Sequence, residues 1–162
     1  MSTATFVQVH VVISLIAIVA GLIVMFGMLG SKSQPGLTAI FLLFTFLTSV
    51  TGFVIPPLVA ETLLPSHLFG ILSCILLAIA CVALYGMKLA GAWRWVYAVT
   101  ALISLYLNVF VLVTQSFLKI PALTALAPGN PPAGPVFGVA QGIALVFFVV
   151  MIIGAVRRFR PA

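Results

Sequence analysis

The sequence predicts an all-α polytopic membrane helix bundle with five transmembrane helices. Three observations carry that prediction. Hydrophobic residues make up 64% of the chain and charged residues 5%, against roughly 25% charged in a soluble domain. The apolar residues fall into five runs, each long enough for the ~20 helical residues that cross a hydrocarbon core. The seven Lys and Arg residues, set against one acidic residue, Glu61, stand at the ends of those runs. Backbone polar groups in lipid need partners within a helix or a closed barrel, and no run shows the alternation of a barrel strand.

The first span is Val7 to Leu29. No cation precedes it and Lys32 follows it. That is the charge order of an uncleaved anchor with its N-terminus outside, whereas a signal peptide opens on positive residues. Ser31 to Gly36 is a polar turn containing a Pro-Gly pair. The second span is Leu37 to Val59. Its Thr38, Thr45, Thr48, Thr51 and Gly52 fall on roughly one side, and such hydroxyls bond their own helix carbonyls. Pro56 and Pro57 break or kink its far end. Glu61 to Pro65 is a short turn. The third span runs from Ser66, an N-cap residue by type, to Lys88. Cys74 and Cys81 lie in it two turns apart, too far for a disulfide within one helix.

The fourth span is Trp95 to Leu118 and the fifth Val136 to Val156. Between them, Pro121, Pro128, Pro131, Pro132 and Pro135 exclude a continuous helix. Ile120 to Ala127 is apolar enough to lie along the membrane interface and cover part of the bundle mouth. Gly134, Gly138 and Gly142, at four-residue spacing, predict close approach of a neighbouring helix. One transmembrane domain thus takes the whole of 1–162, with spans at 7–29, 37–59, 66–88, 95–118 and 136–156.

Alternating spans place Lys32, Lys88, Arg94, Arg157, Arg158 and Arg160 on one side and Lys119 alone on the other. Cations mark the cytoplasmic face, so the N-terminus is expected outside and the C-terminus inside. Tyr85, Trp93, Trp95 and Tyr97 then form an aromatic group at that interface. The cations form no basic stripe with aromatics between, which excludes nucleic acid and leaves the lipid bilayer as their partner.

Polar residues inside spans are costly and mark the bundle interior. His10 and His67 begin two helices that run the same way, so both imidazoles fall in the outer leaflet at similar depth. They are the candidate cofactor ligands, for one haem, a transition metal or a quinone. Two histidines alone are too few for a closed zinc site, and the metal is left open. Asn108, Gln115, Gln141 and Glu61 are candidates for a polar pocket in the same outer layer. Tyr97, Ser104, Asn108 and Gln115 share one face of the fourth span. Met25, Met28, Met87 and Met151 gather near the cytoplasmic side, where thioethers bind Cu(I) or fill gaps between helices.

The stretch Tyr106-Leu107-Asn108-Val109-Phe110-Val111, followed by Lys119-Ile120-Pro121 and Leu126-Ala127-Pro128, resembles a segment of small bacterial inner-membrane proteins. The resemblance covers the fourth span and the loop after it. It implies a multi-pass protein of the bacterial cytoplasmic (inner) membrane and carries over no functional residue. Phosphate loops, nucleophile elbows and His-Glu-x-x-His helices are absent from the sequence. One acidic residue excludes paired-carboxylate catalysis. The sequence therefore leans away from an enzyme. It points first to a non-catalytic accessory or assembly subunit, packing as a homo-oligomer or in a larger membrane complex. A redox module holding haem or quinone through His10 and His67 comes second, and a small-molecule or metal permease third.

Overall fold

The computed structural model describes residues 2–55 and 65–161, and it contains no strand among them. Helix α1 is Thr3–Leu29, α2 is Pro35–Val54 and α3 is Pro65–Cys81, which runs on into a π-helical segment at Val82–Gly86. Helix α4 is Trp93–Lys119, α5 is the short Pro121–Leu126, and α6 is Pro135–Arg158. Five helices, α1, α2, α3 with its π segment, α4 and α6, are long and apolar enough to cross a membrane. They have the make-up of a small multi-pass integral membrane protein, a helix bundle whose apolar outer faces meet lipid.

The boundaries follow from local chemistry. The Ser2 hydroxyl caps α1 by accepting from the Thr5 amide at 3.2 Å. The helix ends in a Schellman motif, in which Lys32 N–H donates to Gly27 O at 2.9 Å and Ser31 N–H to Met28 O at 3.0 Å. Ser31 takes the left-handed position of that motif at φ 54, a place glycine usually fills. Helix α2 opens on Pro35, whose missing N–H costs nothing there. It stops at Val54, and Ile55 is extended at φ −73, ψ 122, as the residue before a proline prefers to be. The second span is therefore shorter than the sequence suggested. The stretch 56–64, including Glu61, lies outside the described residues. Helix α3 begins at Pro65, so Ser66 sits inside the first turn and is not the cap. Gly134 at φ 125 precedes α6 as its N-cap. A side chain there would be strained, so this glycine serves the turn and belongs to no packing stripe.

Helix α1 packs on α2, α4 and α6, while α3 packs on α2 and α4. The first four long helices thus form a ring in the order α1–α2–α3–α4, and α6 lies against α4 and α1. The fifteen-residue connection with its prolines folds α5 back onto α4, where Thr124 Oγ1 donates to Phe117 O at 2.8 Å. Each long helix runs antiparallel to the one before it, as shown by the pairs Phe53–His67, Phe69–Phe110 and Tyr106–Phe148. All six cations from Lys32 to Arg160, other than Lys119, therefore share one end, called here the basic end. His10, His67 and Lys119 mark the opposite, histidine end.

The core is concentrated towards the basic end. Ala17, Val24, Met25 and Met28 of α1 are buried, with Phe41 and Leu42 of α2, Ala80 of α3, Ala98, Ala101, Leu102 and Leu105 of α4 and Met151 and Ala155 of α6. Small residues let these backbones approach. A Cβ on Gly21 would stand 2.6 Å from Leu105 Cδ1 and 2.8 Å from Phe41 Cδ2, so α1, α2 and α4 meet there. A Cβ on Gly154 would stand 2.8 Å from Leu29 Cδ2. By contrast, a Cβ on Gly138 or Gly142 would meet nothing within 4 Å. The expected helix contact of those two glycines is not made among the described residues; Gly21 and Gly154 carry close approaches.

Candidate functional site

At the histidine end the interior stripe of each helix turns polar. His10 sits one turn outward of Ser14, whose hydroxyl donates to His10 O at 2.8 Å. The His10 ring reaches α2, with Nδ1 2.7 Å from Thr51 Oγ1. Thr51 donates its own proton to Leu47 O at 2.7 Å. Its oxygen is then the acceptor, so His10 carries its proton on Nδ1. That relay fixes the tautomer and leaves Nε2 with a lone pair. A Cβ on Gly52 would lie 3.6 Å from His10 Cε1, so the ring rests against the α2 backbone.

His67 reaches the same end of α2 from the other side. Its ring lies 6.1 Å from Phe53, tilted by 38°. Phe53 also fills the space over Gly70. Thr51 and Phe53 are two residues apart, about 200° of helical turn. The two histidines thus flank α2 from α1 and α3, which stand diagonally across the ring. Each takes a different partner on α2. Among the described residues, no three His, Cys, Asp or Glu side chains come together.

The other candidates spread over the same half. Gln141 of α6 donates from Nε2 to Phe110 O at 3.0 Å and to Thr114 Oγ1 at 3.1 Å. Gln115 is exposed and Asn108 half-buried. Among the described residues, the buried polar atoms without partners are Gln34 Oε1, Thr45 Oγ1 on α2, Ser73 Oγ on α3, Asn108 Nδ2 on α4 and Gln141 Oε1 on α6. Each such atom costs about 1–3 kcal/mol when left unpaired. Thr48 and Thr51 bond their own helix carbonyls as expected.

The basic end holds the features that the sequence hides. Tyr97, read as part of an interfacial belt, is instead buried at 1% exposure, whereas Tyr85 is 58% and Trp95 47% exposed. Past the end of α6, the chain folds across the bundle. Phe159 is buried with its ring 6.0 Å from Tyr97. Arg94 donates from its guanidinium to Phe159 O, and Arg160 N–H donates to Ser31 Oγ at 2.8 Å. Beneath this strap lies a cavity of about 80 Å³ between Lys32, Ser33, Thr38, Leu84, Tyr97 and Phe159. Met25, Met28 and Met151 pack into the core above it, while Met87 is exposed; three of the four methionines are gap fillers here.

No protein-family model, curated protein or solved structure is matched by the chain.

Proposed function

We propose that this protein is a non-catalytic accessory subunit of a bacterial cytoplasmic membrane that packs with a second copy of itself through α6. In this reading the whole chain is one transmembrane domain, with the basic end cytoplasmic and the N-terminus outside, in line with the six-to-one distribution of cations. The observation that carries it is the open groove over Gly138 and Gly142, where a Cβ meets nothing within 4 Å. Exposed Val139, Ile143 and Val146 stand beside it. Glycine weakens a helix by about 1 kcal/mol relative to alanine, and it offers lipid no side chain. Two glycines one turn apart on an otherwise bulky face make room for another backbone. Sizing in bicelles tests this. The parent is expected to run as a dimer, and Gly138→Leu and Gly142→Leu as folded monomers. A parent that is monomeric at micromolar concentration ends the reading.

A second reading is favoured by the His10–Thr51–Leu47 relay. Histidines that bind iron or another metal hold the second ring nitrogen in this manner, donating N–H to a fixed acceptor. Here the protein is a membrane redox module, with His10 and His67 holding a haem or quinone in the half of the bundle that carries Asn108, Gln115 and Gln141. A visible spectrum of the purified protein decides it for haem. A Soret band lost in His10→Ala supports this reading, and a featureless spectrum from haem-replete cells removes haem.

A further inference from the structure

We propose that the cavity at the basic end binds a phosphate group. Its size comes first. At about 80 Å³, and with roughly 30 Å³ as a water's share of liquid volume, it admits a group as large as two or three waters. Its lining comes next. Lys32, Ser33, Gln34, Thr38 and Tyr97 line it among mostly apolar side chains. They offer one ammonium, three hydroxyls and the Gln34 amide, whose buried Oε1 has no partner among the described residues. Thr38 and Tyr97 are 6% and 1% exposed, so their hydroxyls act where water does not compete.

Charge points the same way. Lys32, Lys88, Arg94, Arg157, Arg158 and Arg160 share this end, and the chain's one acidic side chain, Glu61, is remote from it in sequence. A backbone carbonyl, that of Phe159, answers the Arg94 guanidinium. Among the described residues no carboxylate side chain balances the positive potential at this end, which favours an anion. An oxyanion with several acceptor oxygens suits several convergent donors.

The frame of the cavity is over-determined. Ser31, Lys88 and Leu89 have φ of 54, 49 and 58, and they are the non-glycine residues with left-handed backbone among those described. Such residues cost about 1–3 kcal/mol each and persist only where their surroundings hold them. Leu89 lines the cavity, and Ser31 and Lys88 flank it in sequence. The π segment Val82–Gly86 supplies Leu84 and Tyr85 to the wall. Strained loops, a π turn and the strap through Phe159 thus converge on one small cavity. The phosphate has two possible sources: a phospholipid headgroup of the adjoining leaflet, or the free anion.

The test uses the purified full chain in uncharged detergent, with thermal unfolding followed by tryptophan fluorescence. The probes are inorganic phosphate, short-chain phosphatidylglycerol, and sodium chloride at matched ionic strength. A saturable rise in Tm with phosphatidylglycerol alone assigns a lipid headgroup. A rise with inorganic phosphate as well assigns the free anion. Lys32→Gln is expected to weaken the apparent Kd about tenfold, the effect of losing one charge-assisted contact. Arg157→Gln, an exposed cation of the same end outside the lining and its frame, is expected to leave it unchanged. Thr38→Val, which keeps every charge, is expected to weaken it as well. The proposal is overturned by no saturable shift with either probe, by an equal shift with chloride, or by equal losses in Lys32→Gln and Arg157→Gln.

Discussion

Along α4 a single helical face meets two environments. From Tyr97 to Leu105 it is sealed, with Tyr97 at 1% exposure and Leu105 at 0%. Two turns further on, Leu112 is 37% exposed and Gln115 lies open. The other helices repeat the pattern. Helix α1 is buried from Ala17 to Met28 and only half-buried at His10 and Ser14. In lipid no hydrophobic force drives helices together, so packing depends on close van der Waals contact between small and large residues. The basic half has that arrangement, with Gly21, Ala98 and Ala101 among Phe41, Met25 and Leu105. The histidine half is held instead by separate contacts: His10 with Thr51, Gln141 with Thr114, Phe69 with Phe110. A half joined by few contacts is the half that opens most easily. It is also where the polar side chains lie.

The comparison breaks most directly at two leucines of one helix. Leu105→Ala should cost about 2–5 kcal/mol, the loss for a fully buried leucine. Leu112→Ala should change stability by less than about 0.5 kcal/mol, as at a site away from packed contacts. Equal losses in detergent unfolding would mean that the histidine half is packed after all. Glycines sharpen the same contrast. Gly21→Ala places a methyl inside the contact distance of two side chains and should cost about 1–3 kcal/mol through overpacking. Gly52→Ala meets only His10 Cε1 at 3.6 Å, an ordinary contact, and should be neutral or better through helix propensity. A Gly52→Ala loss as large as that of Gly21→Ala would show that the His10 ring is wedged rather than resting.

The five helices were legible because span length and apolarity are sequence properties, and Pro35 and Pro135 stand at the first position of the helices they open. The buried face of each helix was not legible. Helix α1 is apolar on every side, so no period separates its core residues from its lipid-facing ones. Spacing drew attention to Gly138 and Gly142, yet spacing does not say whether a neighbour is present; Gly21 and Gly154 found theirs through tertiary packing. His10 was visible as a polar residue in a span, but Thr51 as its partner is set by how α1 and α2 dock, 41 residues apart. The basic-end cavity left no motif at all. Its lining includes a left-handed Leu89 where glycine would have signalled a turn, and Phe159 of a strap that follows the last span.

The smallest expected effect tests the boundary between the halves. Thr45 is fully buried, and its hydroxyl has no partner. Thr51, less than two turns along the same helix, gives its proton to Leu47 O and accepts from His10. A valine keeps the shape of either residue and removes only the hydroxyl. At Thr45 that removes an unpaired buried group, so Thr45→Val should raise stability by up to about 1 kcal/mol. At Thr51 it strands the His10 N–H, so Thr51→Val should lower stability by about 0.6–1 kcal/mol, the usual size of an interhelical hydrogen bond in a membrane. The opposite signs are the point. Each variant is measured by thermal unfolding against the parent in one detergent. If Thr45→Val also loses stability, its hydroxyl has a partner such as a buried water. The sealed half would then end nearer the basic end than Thr45.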